Sequence, residues 1–433
     1  MGNYVLCCTP VRSHLDPMLT IAAHLHRRGH RVRMLTGQRF RDAVQSTGAE
    51  HVALPAACDY DDTDTDGAFP GRAGLGGVAR LRFDLDHIFL DAIPPQHRAL
   101  ARLIDEDRPD SILIDPMFCG AMPLVLGPSG TRPPILVAGF LPLPFTSRDT
   151  APFGLARPPM AGPLGRLRNK ALSAAGRRIF QDNERHGAEV LHRECGRAPT
   201  LPFVDWFSLA DGYLQLAVRE LEYPRSDLPA NVTFVGPVLP RPSATAVPPP
   251  WWEEMTSADR PVVYVTQGTV DNADLGRLIG PTLRGLADLN VTVIATTGGR
   301  PASAIPGSVP ANGRITDFVS HADLLPHVDV MITNGGFGGV QQALAQGIPL
   351  VVAGDSEDKP EVAARVAWSG TGINLRTATP NPAKVRKAVQ RLLTTPTYRH
   401  NAQQLAKAIA ATSALDTIEH TLQTAKKANH AKQ

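Results

Sequence analysis

No apolar run in the sequence approaches the ~20 residues that a bilayer-spanning helix needs, so stable membrane insertion is not expected. The five cysteines (Cys7, Cys8, Cys58, Cys119 and Cys195) are odd in number and lack CxxC spacing. That argues against a disulfide framework and a thiolate zinc site, and it points to reduced thiols in a cytoplasmic protein. Excess charge of one sign is also missing, with a net +3 over 433 residues. No basic stripe is interleaved with aromatics, so nucleic acid is not an expected partner. No GxGxxG follows the first apolar segment, which excludes a dinucleotide-dependent oxidoreductase. The N-terminus carries no signal-peptide pattern, because the apolar run at 4–8 is of strand length and meets Pro10, Arg12 and His14.

The composition, 43% hydrophobic and 20% charged, is that of an ordinary soluble protein. The chain is too long for one core, and two domains of about 200 residues are expected. Strand-like segments at 4–8, 32–35, 111–114 and 135–138 alternate with helical patterns at 17–28, 39–47 and 85–105. A Pro-rich stretch at 237–260 reads as a stiff linker. The alternation then restarts, with strands at 262–265, 291–295, 328–333 and 350–352 and helices at 274–289, 337–346, 383–393 and 398–412. This is the pattern of an α/β protein with two doubly wound, Rossmann-like domains facing across a cleft. The expected units are 1–236, the linker 237–260, 261–405, and a C-terminal helix and polar tail at 406–433 that can pack back on the first domain.

The most informative stretch runs from Thr333 to Val366. A buried strand opens through Gly335, Gly336, Gly338 and Gly339 into a helix beginning near Phe337. Such a helix start leaves unpaired N–H groups and a partial positive charge, a natural seat for phosphate. An acidic loop, Glu357-Asp358, follows the next strand, so a phosphate cradle is succeeded by a carboxylate, as a nucleotide-sugar site requires. The strand at 262–265 leads into Thr266, Gly268 and Thr269, whose hydroxyls suit a phosphate oxygen. Phe318 precedes a helix, where an exposed ring can stack on a base; a core phenylalanine is the plainer alternative.

In the first half, His14 follows the first strand and stands just before the helix that Pro17 is expected to start. It reads either as a general base facing the cleft or as a surface loop histidine. Asp115 ends another strand at the same sheet edge and can partner the imidazole; a helix N-cap is its alternative role. The run Asp62–Asp66 contains two formal DxD patterns, yet its crowded like charges predict a solvated loop, not a metal site. The glycine-rich piece at 71–77 follows no strand and reads as a loop.

With these residues assembled, the chain resembles the inverting, UDP-sugar-dependent glycosyltransferases of GT-B fold, in particular the bacterial macrolide and antibiotic glycosyltransferases. The resemblance covers nearly the whole chain, from the His14 loop to Val385. Its most specific part is the donor signature, HGGxGTxxEA followed by a DQxxNA-like loop, which reads here NGGFGGVQQA and DKPEVA. The resemblance implies that Asn334 replaces the histidine at the β-phosphate and that Gly339 replaces a hydroxyl residue at the α-phosphate. Gln342 replaces the glutamate that accepts from the ribose hydroxyls. Asp358 matches the aspartate that holds sugar hydroxyls, and Lys359 replaces a glutamine. Phe318, Val319 and His321 fall in the base-binding stretch, with Phe318 stacking on uracil.

Also by resemblance, His14 is the catalytic base, in an H-x-x-P pattern completed by Pro17, and Asp115 is its partner. The implied reaction is one displacement with inversion, UDP leaving, and no metal or other cofactor. The acceptor is expected to be a hydrophobic small molecule, with Phe83, Phe89, Phe140 and Phe145 as candidate wall residues. A TDP-deoxysugar transferase and a non-catalytic helper of the same fold stand as alternatives. A GT-B epimerase would need additional cleft acids.

Overall fold

The computed structural model describes residues 1–240, 248–268 and 272–430. The first domain holds a parallel sheet of β1 (Asn3–Cys7), β2 (Arg31–Thr36), β3 (Glu50–Ala53), β4 (Ser111–Ile114), β5 (Ile135–Gly139), β6 (Gly212–Gln215) and β7 (Val232–Phe234). Their spatial order is β3-β2-β1-β4-β5-β6-β7. The second domain holds β8 (Val262–Thr266), β9 (Thr292–Thr296), β10 (Gly313–Thr316), β11 (Val330–Thr333), β12 (Leu350–Val352) and β13 (Gly372–Asn374). These are ordered β10-β9-β8-β11-β12-β13. Central strands such as β4 and β8 are buried throughout, as continuous apolar runs covered on both faces must be.

Strand order reverses between β1 and β4 in the first sheet and between β8 and β11 in the second. The expected His14–Asp115 pair follows β1 and β4, and the expected phosphate cradle follows β8 and β11. Both candidate sites therefore sit at topological switch points, where diverging loops leave a crevice for ligands.

Helix α1 (Arg12–Arg27) begins before the sequence pattern predicts, with Pro17 inside it. The proline removes one N–H, which costs the helix a single bond to the Ser13 carbonyl. Its apolar face, Leu15, Met18, Ile21 and Leu25, packs against the sheet. The glycine-rich loop leads into Phe337–Ala345 (α2), and the acidic loop leads into Lys359–Trp368 (α3). The last helix, Ala414–His430 (α4), returns to the first domain, where Ile418 and Leu422 join the cluster of Leu15 and Met18. Glu419 fixes it there, 3.0 Å from both His24 Nε2 and His30 Nε2. In the Pro-rich stretch, Trp252–Ser257 forms a short helix whose Met255 is buried in the second domain's core. No helix of the described residues is long and apolar enough to cross a membrane.

Candidate active site

No residue of α1 caps its own N-terminus; Asp62 does so from a distance. One of its carboxylate oxygens accepts from Arg12 N at 2.6 Å, and the other pairs with Arg39. The acidic run is thus not a solvated loop. Asp61 also pairs with Arg39, Asp64 accepts from Gly67 N at 3.0 Å, and Asp66 lies 2.5 Å from Arg72. Arg39 pairs with Asp61 and Asp62, 22 and 23 positions away, and Arg72 pairs with Asp66, which counting like charges along the chain does not reveal. Capped in this way, α1 carries His14 in its first turn instead of in the preceding loop.

His14 and Asp115 are brought together, though not in direct hydrogen bond. His14 Nδ1 lies 3.7 Å from Asp115 Oδ2. The Thr9 hydroxyl stands between them, 3.0 Å from Nδ1 and 2.7 Å from Oδ2. The same Oδ2 accepts from Thr9 N at 2.5 Å, while Oδ1 accepts from Met117 N at 2.5 Å. Burial pushes the Asp115 carboxyl up, but His14 and these Thr9 bonds outweigh it and hold the group below the usual carboxylate range. An ionised carboxylate only accepts, so Thr9 gives it the single hydroxyl proton and must accept from His14. Nδ1 therefore carries the imidazole proton, and Nε2 keeps the lone pair that a general base needs.

Across the cleft, the first intrahelical bond of α2 runs from Val340 N to Gly336 O. The amides of Phe337, Gly338 and Gly339 precede it and have no acceptor among the described residues. A Cβ built on Gly336 or Gly338 would meet no protein atom, so packing does not demand glycine there. The space is kept open, as an anion approaching the backbone requires. Gly335, at φ 99°, makes the turn itself. Asn334 is buried and donates to Gln267 O at 2.5 Å, which leaves one of its N–H bonds for a ligand. Thr266 accepts from Gly268 N at 3.1 Å. Thr269 lies outside the described residues.

Phe318 is 63% exposed, and its ring lies against Gly299, with open space on the other side for a base. Val319 packs on the second domain's core. His321 faces inward instead, with Nε2 2.9 Å from the Tyr264 hydroxyl and Nδ1 2.9 Å from Gln342 Oε1. Burial, opposed by the Gln342 bond, lowers its pKa and keeps the ring neutral. The Tyr264 phenol is pushed up to about 12 by burial and is bonded by Thr296 and Thr266, so it donates to His321 Nε2. His321 Nδ1–H then donates to the Gln342 carbonyl, and the Gln342 amide N–H groups and the second carbonyl lone pair are left for a ligand.

Asp358 begins α3, half-buried, and its side chain makes no capping bond. Burial raises its pKa to about 6, with Lys359 opposing and Glu357 assisting. Attraction to His14 also lowers it, as the smallest of these effects. Lys359 does not turn to Asp358; its ammonium pairs with Glu357 and bonds Ser356 Oγ at 3.2 Å.

Of the four candidate wall phenylalanines, Phe140 meets the site, its ring 4.8 Å from the His14 ring. Phe145, in the segment that leaves β5, is a core residue, edge-on to Tyr213 at 4.8 Å. Phe83 packs on His87, 4.4 Å between rings, and Phe89 packs on the first domain's core. Reasoning from sequence missed Thr9, Asp62 as a cap, and Tyr264. Only Thr9 gives a signal, as a hydroxyl directly after the strand that precedes His14.

Two doubly wound domains, one presenting an oriented imidazole and the other an anion cradle with a carboxylate beyond it, define a glycosyltransferase of GT-B fold. The chain superposes on the glycosyltransferase of kitacinnamycin with a TM-score of 0.72 at 23% identity, covering 97% of this chain and 98% of that one. The model of the "Erythromycin biosynthesis protein CIII-like, C-terminal domain" family matches residues 281–423. Identity is 41% to 4'-demethylrebeccamycin synthase of Lentzea aerocolonigenes, over 97% of this chain and 99% of that protein. It is 32% to UDP-glucosyltransferase A1 of Starmerella bombicola, over 96% and 91%. The chain belongs to this family of glycosyltransferases.

Proposed function

We propose that the protein is an inverting glucosyltransferase that moves glucose from UDP-glucose to a hydroxyl of a hydrophobic natural product. The observation that carries this reading is the His14–Thr9–Asp115 array, which puts the proton of the neutral imidazole on Nδ1 and turns the Nε2 lone pair to the cleft beside Phe140. His14 Nε2 takes the proton of the acceptor hydroxyl as its oxygen attacks the anomeric carbon. The bond to UDP breaks from the opposite side, and configuration inverts in one step. The leaving diphosphate is stabilised by the amides of Phe337, Gly338 and Gly339, by Asn334, and by the Thr266–Gly268 turn. A base of this kind supplies ~10²–10⁴-fold, and positioning with the anion cradle supplies most of the rest. No metal is assigned, since the leaving-group charge is met by a helix terminus and the Asp62 carboxylate is engaged by Arg12 N and Arg39.

Glucose is favoured because Asp358 offers a carboxylate that accepts from adjacent sugar hydroxyls. The names of two relatives, a rebeccamycin-related synthase and a UDP-glucosyltransferase, are consistent with a natural-product acceptor and a UDP-hexose donor. A second reading, a TDP-linked donor, is favoured by Gln342, a neutral amide whose carbonyl already accepts from His321 and so is a weaker acceptor for ribose hydroxyls than a carboxylate. Incubation with UDP-glucose and a panel of polyketide, macrolide, ansamycin and flavonoid acceptors, followed by mass spectrometry and anomeric assignment, tests the proposal. A hexose adduct of β configuration from the α-linked donor supports it. Hydrolysis of the donor alone, or a retained anomer, contradicts it.

A further inference from the structure

The segment leaving β5 runs past His14 at Phe140 and then crosses toward the second domain. Two of its backbone amides are held by one side chain of that domain. Glu361 Oε1 accepts from Gly154 N at 2.8 Å and from Ala156 N at 2.7 Å. Its other oxygen is 2.8 Å from Arg365 Nη1. Arg365 in turn reaches Glu222 of the first domain at 2.6 Å and lies over the Tyr223 ring at 4.4 Å. Glu222 Oε2 accepts from Leu143 N at 3.0 Å, on the same segment. Arg225 holds that segment's carbonyls, Leu143 O at 2.8 Å and Phe145 O at 2.5 Å. Glu222, Glu361 and Arg365 are all buried.

Glu361 stands in the first turn of α3, the turn that begins at Asp358. One turn of helix therefore shows a carboxylate to the donor side of the cleft and another to the segment bordering its acceptor side. Ala156 is held at φ 51°, a left-handed conformation that a residue with a Cβ adopts only when its surroundings impose it. Glu361 is the partner of its amide, and Glu361 comes from the other domain.

We propose that Glu361 is a positioning residue for the acceptor, ordering the segment at 140–156 along the cleft from the same helix turn that meets the donor sugar. The proposal rests on the assignment of the cleft beside His14 and Phe140 to the acceptor. Parting the domains removes the acceptor atom of two loop amides and lets Ala156 relax. The acceptor wall is thereby complete only when the donor domain is in place. Arg365 keeps its bond to Glu222 when Glu361 is altered, but Arg225 lies 4.0 Å from the same carboxylate, so the thermal denaturation of each variant checks that the fold is retained.

The test is steady-state kinetics of Glu361→Ala and Glu361→Gln with the two substrates varied separately, alongside hydrogen exchange of the peptide spanning 149–160. Loss of two bonds to a charged acceptor should raise the acceptor KM on the order of tenfold or more in Glu361→Ala. The donor KM and UDP affinity should stay within about twofold, since Glu361 bonds Gly154, Ala156 and Arg365 and no group of the phosphate cradle. Exchange at Gly154 and Ala156 should quicken while α3 stays protected. Glu361→Gln, which is isosteric and keeps one carbonyl oxygen for the two amides, should fall between wild type and Glu361→Ala. An unchanged acceptor KM, or equal rises in donor and acceptor KM, overturns the proposal. If no acceptor turns over at all, the acceptor assignment fails as well, and unchanged exchange in Glu361→Ala still overturns the loop-ordering role by itself.

Discussion

His14 and Asp115 act on each other through Thr9: the imidazole Nδ1 is 3.7 Å from the carboxylate but 3.0 Å from a threonine hydroxyl that the carboxylate holds at 2.7 Å. The carboxylate thus selects the histidine tautomer at one remove. Thr9→Val keeps the shape and the backbone bond to Asp115 but removes this bridge. Turnover should fall about 10- to 100-fold, the usual worth of a bond to an ionised group, and Thr9→Ser should restore most of it. UDP affinity, measured by calorimetry, should not move in either variant. Equal turnover in Thr9→Val and wild type would remove Thr9 from the array.

The ribose edge can be tested with a pair of nucleotides that differ by one hydroxyl. The Gln342 carbonyl already accepts from His321, so the site offers the ribose amide donors and one remaining neutral lone pair, and no carboxylate. UDP and 2′-deoxy-UDP should bind within about threefold of each other, whereas Gln342→Glu should favour UDP by about tenfold or more. A wild-type preference for UDP as large as that of Gln342→Glu would show that the polarity of this chain is reversed.

Asp358 gives the donor site a pH dependence with a definite sign. Its folded pKa is raised from 3.8 to about 6, so the carboxylate that accepts sugar hydroxyls is lost as pH falls through about 6. The affinity advantage of UDP-glucose over UDP should shrink below that pH, with UDP as the internal control. Asp358→Asn should abolish this step. The linked stability runs the opposite way, because a raised carboxyl pKa makes the folded state bind protons more tightly between these values, so this contribution to stability grows as pH falls from about 6 toward 3.8 while the hold on the sugar weakens.

Much of the architecture is legible in the sequence because switch-point signals are local. A strand that ends in His14's loop, another that ends at Asp115, and a strand that opens into glycines each declare themselves within a dozen or so residues. The parts that are not legible depend on residues far apart. Asp62 meets Arg12 N across 50 positions, Thr9 meets Asp115 across 106, and Glu361 meets the loop at Gly154 across 207. No periodicity encodes such pairings. The same distance effect explains the acidic run, where charge counting along the chain omits Arg39, 23 positions from Asp62. It also explains Phe145, whose apolar character suits a pocket wall and a core equally well.

The acidic run yields a separate prediction. Asp62→Ala removes the cap of α1 and should cost about 0.5–2 kcal/mol of stability, seen as a lowered denaturation midpoint, with a parallel loss of turnover. EDTA should leave wild-type turnover unchanged. Loss of activity on chelation, restored by manganese or magnesium, would assign these aspartates to a metal instead.

The central claim is that His14 Nε2 removes the acceptor proton, and it is tested most directly by single-turnover transfer in His14→Ala with donor and acceptor saturating. Hexose transfer should fall by ~10²–10⁴-fold while UDP binding stays within about twofold, because the base touches the acceptor and not the nucleotide. Retention of more than about a tenth of wild-type transfer, well above what loss of a general base allows, would contradict the account.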